Sequence, residues 1–162
     1  MIAIPLTTNT RSNMNAIQQL AIGVALATGA SATMTFPDPG LAAPLAIPDH
    51  DAAGILRTLA VSGLDGYARY SVDVALNMTG GGLGGYVGDL YAYLAHQTPG
   101  GAYAMTVLLN RPGRSASLPC GYDNAGLNLI LSDSADHDIH TCQAQDDYHA
   151  VGDAILSGTW QT

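Results

Sequence analysis

From Ile55 onward apolar and polar residues alternate with the two-residue period of a strand that buries one face. Ile55, Arg57, Leu59 and Val61 fall on one side, and Leu56, Thr58 and Ala60 on the other. Ser62-Gly63-Leu64-Asp65-Gly66 reads as a turn. Tyr70, Val72, Val74, Leu76 and Met78 then alternate with Ser71, Asp73, Ala75 and Asn77, the clearest strand of the chain. Asp89–Ala95 sets Leu90, Ala92 and Leu94 against Tyr91 and Tyr93, Thr98-Pro99-Gly100-Gly101 turns the chain, and Met105–Asn110 returns as the second arm of a hairpin. Leu127–Leu131 alternates again, and Ala154–Leu156 is a last apolar patch before Gly158-Thr159-Trp160. At least five short strands, and no convincing helix after residue 33, predict an all-β, antiparallel sandwich of jelly-roll type.

Five glycines between Gly80 and Gly85 read as a mobile loop. They form no phosphate cradle, because neither a Lys nor a helix pattern follows. Thr33–Asp51, with Pro37, Pro39, Pro44 and Pro48, reads as a linker, which leaves residues 52–162 for the sandwich. Charge narrows the partners. The chain has 162 residues, a net charge of −8, and five positive side chains, all Arg (Arg11, Arg57, Arg69, Arg111 and Arg114). Nucleic acid is excluded as a partner, since phosphate binding needs clustered positive charge. An acidic surface suits an extracellular protein or one that binds cations.

Residues 1–32 have the form of a signal peptide. Leu20–Ala27 is an uninterrupted apolar core, and Ala30-Ser31-Ala32 is an A-x-A cleavage site. Arg11 is the only positive side chain ahead of it, and Met14 is an alternative start. The run is too short for a membrane span, which needs about twenty apolar residues. Export leads to the expectation of a Cys120–Cys142 disulfide closing a loop of about twenty residues, a stabilisation of roughly 3 kcal/mol. The alternatives are a metal pair, for which the spacing is poor, and two thiols in a protein kept in the cytoplasm.

Three stretches taken in order carry a resemblance: Tyr86-Val87-Gly88-Asp89-Leu90, then Val107-Leu108-Leu109-Asn110-Arg111-Pro112-Gly113, then Ser132-Asp133-Ser134-Ala135 with Ile139-His140, closed by Gly158-Thr159-Trp160-Gln161. From about Ala46 to Thr162 the chain resembles the P domain (P/Homo B domain) of subtilisin-like proprotein convertases in its bacterial secreted form. The resemblance implies a galactose-binding-like jelly roll without catalytic residues. Such a domain usually follows a subtilisin-like serine endopeptidase domain and is needed for its folding, stability or regulation. Family domains continue past this Trp, so the sandwich is expected to be incomplete here. The competing expectation is a stand-alone extracellular adhesion module with a calcium or glycan ligand.

Candidate chemistry is sparse. His50 lies beside Asp49 and Asp51, and His137, His140 and His149 sit among Asp residues, but no Gly-x-Ser-x-Gly or subtilisin-type Ser motif accompanies them. They read as solvated loop residues, and the chain as a non-enzyme. Asp133, Asp136 and Asp138, joined by Asp89 or Asp123, are hard oxygen donors of the kind calcium takes, although the EF-hand order is absent. His137, His140 and His149 could bind a transition metal only by converging from loops. Tyr91 and Tyr93 share a face and offer a contact surface for a partner domain or a glycan; sheet packing is the plainer use.

Overall fold

The computed structural model describes residues 2–8, 14–28, 30–41, 43–48, 51, 53–63, 70–80, 87–144 and 155–162. Among these residues nine strands form two sheets: β1 (Ile2–Thr8), β2 (Met14–Thr28), β3 (Ala30–Pro37), β4 (Ile55–Leu59), β5 (Tyr70–Gly80), β6 (Leu90–Gln97), β7 (Tyr103–Asn110), β8 (Gly126–Leu131) and β9 (Ile155–Trp160). One sheet has the order β4-β1-β6-β7 and the other β3-β2-β5-β8-β9. The fold is all-β; the helical pieces among the described residues are short 3-10 turns at Pro39–Leu41, Val87–Asp89 and Ile139–Ala144.

The expected alternation fixes which faces meet. Val74, Leu76 and Met78 of β5 are buried, as are Leu127, Leu129 and Leu131 of β8 and Leu90, Ala92 and Leu94 of β6, and they join one core with Leu59 of β4 and Trp160 of β9. Leu56, on the opposite side of β4, is 63% exposed. In β7 the pairing slips between Ala92 and Tyr93, so that Ala92 faces Leu109 and Tyr93 faces Val107. This bulge places one extra residue in β7 and accounts for its two consecutive buried side chains, Leu108 and Leu109, whereas Tyr103, Ala104, Met105 and Thr106 are all exposed.

Among the described strands every pair is antiparallel except β8 with β9, which run parallel in register from Gly126↔Ile155 to Leu131↔Trp160. The long excursion between Leu131 and Ile155 makes this possible, since parallel neighbours need a crossover rather than a tight turn.

Two N-terminal stretches, one with the composition of a signal peptide and one with that of a linker, take part in the sheets and the core. The segment with the form of a signal peptide supplies β1, between β4 and β6, and β2, between β3 and β5. The stretch read as a linker carries the end of β3, buries Ile47 at 4% exposure in the core, and contributes Asp38 to an ion pair with Arg57 of β4. Pro-rich composition marks a chain that makes few ladder hydrogen bonds, yet it can still pack.

Candidate functional site

The stretches that carry the resemblance come together where β6, β7 and the long loop after β7 meet. Arg111, at the end of β7, has φ 53°, an uncommon conformation for a side-chain-bearing residue. It is held there from both sides. Its N–H donates to the Leu90 carbonyl at 2.8 Å, and its own carbonyl accepts from Arg114 N–H at 3.0 Å. Its side chain donates from Nε to the Gly88 carbonyl at 3.3 Å and from Nη2 to Asp89 Oδ1 at 3.3 Å. Asp89 is 3% exposed in its side chain and Arg111 13%. A buried carboxylate is tolerable only with such a partner.

Glycine does the rest of the joining. Gly88 N–H donates to the Tyr122 carbonyl and Tyr122 N–H to the Pro112 carbonyl, at 2.9 and 3.0 Å. A Cβ on Gly88 would stand 2.4 Å from both the Cys120 carbonyl oxygen and Gly121 Cα. Gly121 has φ 70°, and a Cβ there would lie 2.5 Å from Gly88 Cα. Gly113, with φ 75°, lies under the Tyr122 ring and donates its N–H to the His140 carbonyl at 3.0 Å.

His140 is drawn into the same junction. Asn110 N–H donates to its Nε2 at 2.9 Å, so Nδ1 carries the ring proton and donates to Asp138 Oδ1 at 2.8 Å. Asp138 also accepts from the His140 backbone N–H at 2.7 Å. The acidic loop is stapled to the end of β9: Ile139 N–H donates to the Gln161 carbonyl, Gln161 N–H to that of His137, and Ser132 N–H to that of Trp160. The Trp160 ring is buried at 1% exposure and donates Nε1–H to the Ser157 carbonyl at 2.9 Å.

The candidate calcium ligands are therefore dispersed in role. Asp89 is buried against Arg111, Asp138 is engaged by His140, and Asp133, Asp136 and Asp123 are exposed. Among the described residues no group of three or more His, Cys, Asp or Glu side chains is arranged to hold a metal ion. His50, His149, Asp49, Tyr86 and the glycine loop from Gly81 to Gly85 lie outside the described residues. Cys120 and Cys142 are both thiols here, Cys142 buried in the core and Cys120 partly exposed. Tyr91 and Tyr93 are half-buried on the outer face of β6, their rings edge to face with centroids 6.2 Å apart.

Sequence reasoning missed the Asp38–Arg57 pair. Arg57 donates from Nε and Nη2 to the two Asp38 oxygens at 2.7 and 2.8 Å, and Gly40 N–H donates to Oδ1 at 2.8 Å. The Arg57 hydrogen bonds hold the Asp38 carboxyl below the usual carboxylate range. The signal was present: Asp38-Pro39-Gly40 is an Asx turn, and Arg57 stands on the apolar side of its strand.

No helix among the described residues is long and apolar enough to cross a membrane. No family model, curated protein or solved structure matches the chain.

Proposed function

We propose that this chain is an exported, non-catalytic accessory domain, a jelly-roll sandwich of P-domain type that stabilises or regulates an associated subtilisin-like serine endopeptidase. The observation that carries the reading is the use made of its motifs. Gly88-Asp89, Asn110-Arg111-Pro112-Gly113, Gly121-Tyr122 and His140 are spent on one another, in a buried ion pair, close backbone approaches and hydrogen bonds. Residues committed in this way build a rigid body, which is what an accessory domain supplies to a partner. A group that moves protons or attacks a substrate must instead be accessible to it.

The experiment heats a subtilisin-like protease secreted by the same organism with and without the purified chain and follows residual peptidase activity. Slower inactivation with the chain present is expected, and an unchanged rate would overturn the reading. Hydrolysis of peptide or ester substrates by the chain alone, abolished by His140→Ala, would overturn its non-catalytic part. Export rests on the composition of residues 1–32. Cleavage after Ala32 predicts Thr33 as the first residue of protein recovered from the medium. An intact N-terminus there would refute the cleavage.

A further inference from the structure

Among the described residues the four-stranded sheet ends on β7, and this edge differs from the other three. β4 carries Arg57, β3 ends in Pro37, and β9 contains Gly158. Charge, proline and short or interrupted strands are how sheets discourage further pairing. β7, Tyr-Ala-Met-Thr-Val-Leu-Leu-Asn, has none of these. The hairpin fixes which of its backbone groups look outward. Thr98 N–H donates to the Ala102 carbonyl, so the pairs His96↔Ala104 and Leu94↔Thr106 lie at the hydrogen-bonded positions of the ladder. The N–H and C=O groups of Tyr103, Met105 and Val107 then point away from β6.

A second observation lies on the other side of the same strand. Ala104 and Thr106 share the inward parity of Leu94 and His96, yet both are exposed. Beside them a cleft of about 270 Å³ opens between the sheets, walled by Val72, Val74, Leu94, Leu108 and Leu131, with His96 and Asp133 at its rim. Among the described residues the sandwich is open at this corner. Tyr103 and Met105, at 63% and 56% exposure, extend the apolar surface onto the outer face.

We infer that this corner docks an extended strand of a partner protein, which adds to the β7 edge, drops alternate apolar side chains into the cleft, and carries basic residues. The backbone edge defines an extended peptide, and the apolar cleft defines every second side chain. Charge selects a partner over a second copy of this chain. A net charge of −8 on each copy opposes self-association, whereas a basic strand is attracted to it and to Asp133 at the cleft mouth. The inference deepens the proposed accessory role by naming the surface through which it would act.

The test titrates a synthetic peptide alternating valine with threonine, with arginine at both ends, against the full chain by fluorescence anisotropy, with amide hydrogen exchange as a second readout. Saturable binding is expected, with slowed exchange at Tyr103, Met105 and Val107. Ala104→Lys, which places a charge in the cleft at an exposed position, should weaken binding about tenfold or more while leaving the urea midpoint in place. A peptide with proline in place of each threonine should not bind. Three outcomes overturn the inference: no saturation, equal binding by the Ala104→Lys variant, or sedimentation as a dimer that this variant dissociates, which would make a second copy the occupant. A protease that is protected from heat equally by wild-type chain and by Ala104→Lys would overturn the surface while leaving the accessory reading in place.

Discussion

Four glycines separate the two physical reasons a chain uses this residue, and substituting each by alanine tests the junction quantitatively. Gly100 has neither reason: its φ is not left-handed, and the nearest atom to an added Cβ is Thr98 Oγ1 at 3.9 Å. Gly101 has only the backbone reason, φ 84° with nothing within 4 Å, as the left-handed residue that completes a three-residue hairpin loop. Gly88 has only the contact reason, with Cys120 and Gly121 backbone 2.4 Å from its added Cβ. Gly121 has both.

The expected costs follow in that order. Gly100→Ala should fall within about 0.5 kcal/mol of wild type, as surface changes do. Gly101→Ala should cost about 1 kcal/mol, the strain of a Cβ in left-handed backbone. Gly88→Ala should cost about 3 kcal/mol, the upper range for overpacking, because the obstructing atoms are backbone and cannot swing aside. Gly121→Ala should add left-handed strain to a similar clash and reach about 4 kcal/mol. The double variant Gly88→Ala with Gly121→Ala should cost at least about 1 kcal/mol less than the sum, since the two segments need separate only once. Urea unfolding measures all five, read as midpoint shifts at constant slope. A Gly88→Ala midpoint equal to that of Gly100→Ala would refute the close approach, and with it the junction as the rigid part of the molecule.

The remaining predictions follow the buried polar contacts. Asp89→Asn should cost about 3 kcal/mol by leaving Arg111 charged and poorly paired, and Asp89→Asn with Arg111→Met should recover part of that loss on urea unfolding. Asp38 ionises more readily folded than unfolded, so its contribution is full above an unfolded pKa of about 3.9 and is lost as pH falls through the lower folded value. The stability gap between wild type and Asp38→Asn should therefore be flat from neutral pH down to about 5, roughly 1 kcal/mol after solvent screening at the partly exposed Arg57, and should close below about 4. Trp160→Phe should lower stability by about 2 kcal/mol through lost volume and the lost Ser157 hydrogen bond, measured by the same unfolding.

β5, β6 and β8 were legible because each buries one face, and burial on alternate residues writes itself into the order of apolar and polar types. The bulge at Leu108 was not, since Val107-Leu108-Leu109 reads as continuous apolar sequence and only the slip in pairing shows which two side chains turn inward. The parallel placement of β9 was hidden for a different reason: its direction is set by the path of the crossover, while the alternation of Leu156 and Trp160 fits either direction. At the candidate site the residues were legible and their roles were not. Asp89 and His140 read as a ligand and a loop group because a side chain's chemistry is local, whereas the Arg111 and Asn110 groups that engage them arrive from the far end of another strand. Tyr91 and Tyr93 were placed on a common face by parity alone, and their edge-to-face contact agrees with that.

The two ends of the sandwich differ in what they can do, and the difference follows from where polar groups are satisfied. At the Arg111 junction the backbone of three loops is consumed by internal hydrogen bonds, the glycines exclude side chains, and a buried ion pair occupies the space between. A partner approaching there would meet few open donors or acceptors and could gain little by displacing what is already made. At the β7 corner the accounts are open in both senses: outward backbone groups stand along the edge, and an apolar cleft faces water beside them. Adding a strand there would satisfy the first and dry the second in one event. Rigidity at one end also serves binding at the other. The hairpin that presents β7 is anchored at Asn110 and Arg111, so the edge is held extended before any partner arrives, and less conformational entropy is lost on docking. On this argument a variant that loosens the junction without unfolding the chain, Arg111→Met for one, should weaken strand docking although it touches no part of the docked strand.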